Sequence, residues 1–158
     1  SLRQSPATPL FQNNSGILDL IWTHTEGPWS VTPYFQYTRA YRLSAFGLIS
    51  PGASTYSGAV LAKYSFNTRW SLAGRAEYLA TSGGACSAAG CADTNLLYGP
   101  GSKAVSLTLT PTFQKGVFFA RAEGSFVEAI DAAPGATFGA AGTARSQWRG
   151  LVETGVIF

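Results

Sequence analysis

Gln147-Trp148-Arg149-Gly150-Leu151-Val152-Glu153-Thr154-Gly155-Val156-Ile157-Phe158 closes the chain, and its alternation decides the fold. At a period of two, Trp148, Gly150, Val152, Thr154, Val156 and Phe158 share one face of an extended strand. Arg149, Leu151, Glu153, Gly155 and Ile157 share the other. Both charges lie on one side, and the opposite side has an aromatic at each end. That distribution suits a strand with one polar and one lipid-facing side.

Working back from the end, the same alternation predicts six more strands, over residues 17–25, 29–42, 56–66, 69–82, 103–114 and 117–129. It is cleanest in the fifth, where Ser106, Thr108, Thr110, Thr112 and Gln114 oppose Val105, Leu107, Leu109, Pro111 and Phe113. Pro33 is a blemish in the second, because proline removes a ladder donor. The connections sort by length. Glu26-Gly27-Pro28, Asn67-Thr68 and Lys115-Gly116 are short turns, whereas residues 43–55, 83–102 and 130–146 are long loops. Tight turns at one end and long loops at the other are the habit of antiparallel transmembrane β-barrels of the outer-membrane type. The expected fold is therefore all-β, with seven or eight strands in this segment of a larger barrel. Trp29, Tyr64, Phe66, Trp70, Phe113 and Phe118 all fall beside the short turns, where an interfacial girdle belongs.

Residues 1–16, with Pro6 and Pro9, read as an external loop or short extended segment around Leu10-Phe11-Gln12. Residues 17–158 read as the strands of the C-terminal part of the barrel. The chain begins at Ser1 and contains no Met, so a leader and further strands are expected upstream. A complete barrel of eight strands is the alternative.

Charged residues make up 12 % of the chain, about half the ~25 % usual in soluble domains. No run of ~18 apolar residues exists, which excludes a transmembrane helix on length. The net charge of +3 is scattered, so no basic stripe points to nucleic acid. Cys86 and Cys91 stand in a Ser/Ala/Gly-rich loop with no histidine nearby, so a disulfide is expected rather than a metal site, with free thiols as the alternative. His24, the single histidine, falls on the apolar face near a turn and reads as an interfacial side chain. No nucleophile and base share a face, so neither enzymatic activity nor a cofactor is expected.

One polar motif repeats. Arg75-Ala76-Glu77 recurs as Arg121-Ala122-Glu123, each in mid-strand, and Lys63, Arg149 and Glu153 join them on the same predicted face. These seven charged residues are the candidate pore lining. They serve either as cross-strand ladders that hold the wall or as charges that select passing solutes.

The order Tyr56-Ser-Gly-Ala-Val, Arg75-Ala-Glu, Ser106-Leu-Thr-Leu-Thr-Pro111, Arg121-Ala-Glu and a terminal strand ending in Phe resembles the C-terminal half of the β-barrel porins called OmpL-like, over roughly residues 16–158. The resemblance implies a channel for small hydrophilic solutes or ions in the outer membrane of a Gram-negative bacterium. It also implies lipid and lipopolysaccharide as surroundings, and assembly by the machinery that reads the last strand to Phe158. Small residues on the lipid face, Gly74, Ala76, Ala122 and Gly124, leave room for a homo-oligomer. The competing functions are a small plugged barrel whose outer loops contact a partner, and a soluble all-β binding domain.

Overall fold

The computed structural model describes residues 15–45, 48–87 and 91–157. Phe158 and the Leu10-Phe11-Gln12 segment lie outside them. The strands are β1 (Ser15–Ile21), β2 (His24–Glu26), β3 (Trp29–Ala40), β4 (Leu43–Ala45), β5 (Leu48–Ser50), β6 (Ala53–Ser65), β7 (Trp70–Gly83), β8 (Lys103–Lys115), β9 (Phe118–Asp131) and β10 (Ser146–Val156). Eight of them form one antiparallel sheet in the order β1-β3-β6-β7-β8-β9-β10, with β2 beside β3, while β4 and β5 make a separate hairpin. Each long strand pairs with the next, as in the wall of an up-and-down barrel. Among the described residues the sheet is open, with β1 and β10 at its edges. The six long strands run 11 to 14 residues, enough to cross a bilayer at a barrel tilt, which takes about 9–11.

Two departures from the expected strands have local causes. The segment 17–25 is divided into β1 and β2 although both keep one register against β3. The division falls opposite Pro33, whose carbonyl accepts the Trp22 N–H at 3.2 Å but which has no N–H to return. The connection expected over residues 43–55 contains the β4–β5 hairpin, and β6 begins already at Ala53. Elsewhere strand ends move by one or two residues, and β1 begins at Ser15.

The register stacks the alternation across the whole sheet. Lys63 faces Ala73, Ala73 faces Thr110, Arg75 faces Thr108, and Arg121 faces Glu153. On the opposite face an aromatic or apolar side chain recurs at an interval of eight residues in every long strand: Trp29 and Tyr37, Tyr64 and Tyr56, Trp70 and Tyr78, Phe113 and Val105, Phe118 and Phe126, Val156 and Trp148. Eight residues of strand cover about 27 Å. At a tilt of about 40° this becomes roughly 21 Å, close to the ~25 Å apolar band of outer-membrane barrels.

Ring contacts link neighbouring strands within each belt. Trp29 meets Tyr64 at 4.7 Å and Trp70 meets Phe113 at 5.0 Å on the short-turn side. On the long-loop side Tyr37 meets Tyr56 at 5.0 Å and Phe126 meets Trp148 at 4.7 Å. Between the belts the outward positions of β3 and β6 to β10 hold only Val, Pro, Phe, Ala, Gly, Leu and the single hydroxyl of Thr154.

This face is apolar and open. Trp148 is 77 % exposed and Val152 76 %, while among the described residues the buried hydrophobic ones are all alanines: Ala40, Ala53, Ala59, Ala104 and Ala129. A water-soluble protein rarely leaves so broad an apolar surface uncovered. Lipid tails would cover it without hydrogen-bonding demands, because the sheet ladder already satisfies the backbone.

Candidate functional site: the polar face of the sheet

All seven charged residues singled out in the sequence share the face opposite the aromatic belts. Glu123 accepts from Arg149 Nη2 at 3.1 Å, a diagonal contact, since Arg149 is registered with Ser125. Arg121 and Glu153 are direct cross-strand partners, and Arg121 Nη2 lies 2.6 Å from Glu153 Oε2. These are charge-assisted bonds between partly exposed groups.

Glu77 is organised differently. Tyr34 from β3 donates its hydroxyl to Oε1 at 2.8 Å, Ser57 from β6 donates to the same oxygen at 3.3 Å, and Ser106 from β8 donates to Oε2 at 3.3 Å. Arg75 reaches Glu77 only at 3.8 Å. Hydroxyls from three other strands thus hold this carboxylate, and its side chain is 12 % exposed against 45 % for Arg75. The two Arg-Ala-Glu copies look alike in sequence yet are wired differently. In the first copy, hydroxyls hold the glutamate and the arginine stays open. In the second, arginine and glutamate each take an oppositely charged partner from β10.

A furrow runs along this face from end to end. Its middle is a hollow of about 480 Å³ lined by Ser30, Thr32, Lys63, Arg75, Thr110 and Arg149, among others. Towards the short turns it continues into a space of about 500 Å³ that shares Lys63 and Glu123. Towards the long loops it narrows to about 270 Å³, sharing Arg75 and Arg149, and there Tyr98 joins the lining. At the short-turn end the Phe119 ring lies over Gly155, where an added Cβ would come within 2.7 Å of it.

Tyr98 comes from the connection between β7 and β8, which folds inward under a set of loop contacts. Thr94 is 2 % exposed, bonds Ser50 Oγ at 2.6 Å and donates to the Pro51 carbonyl at 2.5 Å. Gly84 donates to the Gly52 carbonyl at 3.0 Å and accepts from Thr94 N–H at 2.9 Å. Ala133 in the third long connection donates to the Tyr98 carbonyl at 3.0 Å, and Phe138 packs edge-on against the Tyr98 ring at 5.2 Å. Burial pushes the Tyr98 phenol above its ordinary range. The three long connections therefore form one interlocked layer at one end of the furrow.

Cys86 and Cys91 are joined in a disulfide within that layer, with Cα atoms 6.0 Å apart. This is the bridge expected from the sequence. His24 sits on the aromatic side, stacked on Trp22 at 5.6 Å and 3.6 Å from Glu26, away from the furrow. Among the described residues no group of His, Cys, Asp and Glu is arranged to hold a metal ion.

Sequence reading missed the hydroxyl cradle of Glu77 and the inward Tyr98. Ser106 was legible as a member of the polar face, but which carboxylate it holds depends on register. Nothing in the periodicity of residues 83–102 marks Tyr98.

No curated protein and no solved structure matches the chain significantly. A family model does, over residues 3–158, which extends the resemblance read from residue 16 onwards. With its meander of alternating strands and its charges gathered on one face, the chain belongs to the family described as "Putative beta-barrel porin-2, OmpL-like".

Proposed function

We propose that the protein is an outer-membrane porin that passes small hydrophilic solutes by diffusion. The observation that carries this reading is the segregation of charge. Lys63, Arg75, Glu77, Arg121, Glu123, Arg149 and Glu153 all face the furrow, while the outward band between the aromatic belts holds none. A lipid-facing exterior and a wet interior account for both halves of that pattern. Membership of the porin family supports the same location and activity. In this reading the long connections, one of them carrying the Cys86–Cys91 bridge, face the cell exterior, and the last strand serves the insertion machinery.

The experiment is reconstitution of the full-length protein in a planar bilayer, with current recorded over a range of voltages. Stepwise conductance supports the channel, and its absence sinks it. The interlocked loops and Tyr98 favour one second reading, a barrel closed by its own loops. That reading predicts silent insertion, with current appearing only after the loops are loosened by reduction or by Gly84→Val.

A further inference from the structure

We infer that the middle of the furrow is an anion-binding site, formed by Lys63 and Arg75, so that the solutes handled by this protein are small anions carrying a phosphate or carboxylate group. The inference rests on the channel reading above and specifies its substrate class.

Charge pairing is uneven along the furrow. Arg121 and Arg149 each have a carboxylate within 3.1 Å. Lys63 forms no ion pair among the described residues, and Arg75 has only the 3.8 Å approach to Glu77. Glu77 offsets part of the Arg75 charge at 3.8 Å, but at that distance it accepts no hydrogen bond from the guanidinium, and its own acceptors are engaged by the hydroxyls of Tyr34, Ser57 and Ser106, so the Arg75 N–H donors remain available to another oxyanion. The central hollow is thus lined by three cations, Lys63, Arg75 and Arg149, against one carboxylate, Glu123, which already holds Arg149.

Geometry brings the two open cations together. Lys63 on β6 is registered with Ala73, and Arg75 stands two residues further along the same face of β7. Diagonal neighbours of this kind are about 7–8 Å apart, within reach of long side chains. One tetrahedral or planar oxyanion between them would accept from the ammonium and from the guanidinium fork. The surrounding hydroxyls of Ser30, Thr32, Thr108 and Thr110 offer further donors. No carboxylate other than Glu123 lines this hollow to compete for them.

Two measurements on the full-length protein test this. In a salt gradient of KCl, the reversal potential should show chloride favoured over potassium. Lys63→Gln and Arg75→Gln should each lower that preference about threefold or more, the effect of one unit charge ~7 Å away in a water-like medium. Arg75→Lys should retain most of it. A cation-preferring wild type, or variants that leave the ratio unchanged, overturns the inference while leaving the channel intact. Binding of inorganic phosphate to the detergent-solubilised protein, followed by equilibrium dialysis, decides the matter even where no current is seen. Saturable binding weakened in Lys63→Gln supports the anion site in a closed barrel, and no binding overturns it. Folding of each variant is checked by its heat-shifted electrophoretic band, and Lys63→Gln and Arg75→Gln serve as independent variants.

Discussion

Arg121 on β9 and Glu153 on β10 face each other directly across the ladder, and their side chains meet at 2.6 Å. Both are about half exposed on the polar face, so this pair belongs to the class whose contribution to stability is about 0.2–1 kcal/mol. Its larger effect is on the field inside the furrow, because each charge screens the other.

Arg121→Ala is therefore expected to leave folding almost intact and to expose Glu153. Unfolding in denaturant should shift by no more than about 1 kcal/mol, and the reversal potential should move toward cations. A severe loss of assembled barrel instead would assign the pair to wall construction.

Leu109 stands at mid-height on the outward face, 49 % exposed, between Gly74 and Gly124 in register. Leu109→Arg places a charge in the apolar band and should cost roughly 2–4 kcal/mol in lipid. Thr110→Arg, one residue on, points into the furrow and should cost far less. A harmless Leu109→Arg beside a costly Thr110→Arg in a bilayer unfolding assay would mean that the two faces are exchanged.

Gly84 has φ +86°, and a Cβ there would collide with the Thr94 carbonyl. Gly84→Val combines backbone strain of about 1–3 kcal/mol with that collision, and should free the connection that bears Tyr98. Limited proteolysis is expected to cut the variant within residues 84–102 while the strands remain protected. A cleavage pattern like that of the wild type would show that the interlock does not depend on this position.

The Cys86–Cys91 bridge closes a short loop, for which chain entropy predicts a stabilisation of about 2 kcal/mol. It lies in the loop layer, where Cys91 bridges Ile49 of β5, outside the ladders of the eight-stranded sheet. Reduction should consequently speed hydrogen exchange around residues 84–102 and leave β6 to β9 unchanged. Loosening of the sheet on the same timescale would argue that the loops brace the wall.

The wall of this protein was legible in the sequence. Side-chain direction in a strand depends only on parity, so Trp148 against Arg149 and Leu109 against Thr110 disclose the two faces without any knowledge of partners. The eight-residue interval between belts, Trp70 to Tyr78 and Phe118 to Phe126, is equally local, since both members of each pair lie on one strand at even spacing. The short turns at Gly27, Asn67 and Gly116 supplied the order of the meander. What tertiary structure alone decided is pairing. Arg75-Ala76-Glu77 and Arg121-Ala122-Glu123 are identical as tripeptides, yet hydroxyls from β3, β6 and β8 hold the first glutamate and an arginine from β10 holds the second. The division of β1 from β2 arises from Pro33 on the neighbouring strand, and Tyr98 reaches the furrow because Thr94 and Ala133 anchor its loop. Each of these depends on which residues lie across a ladder or beneath a loop, and alternation along one strand carries no information about that.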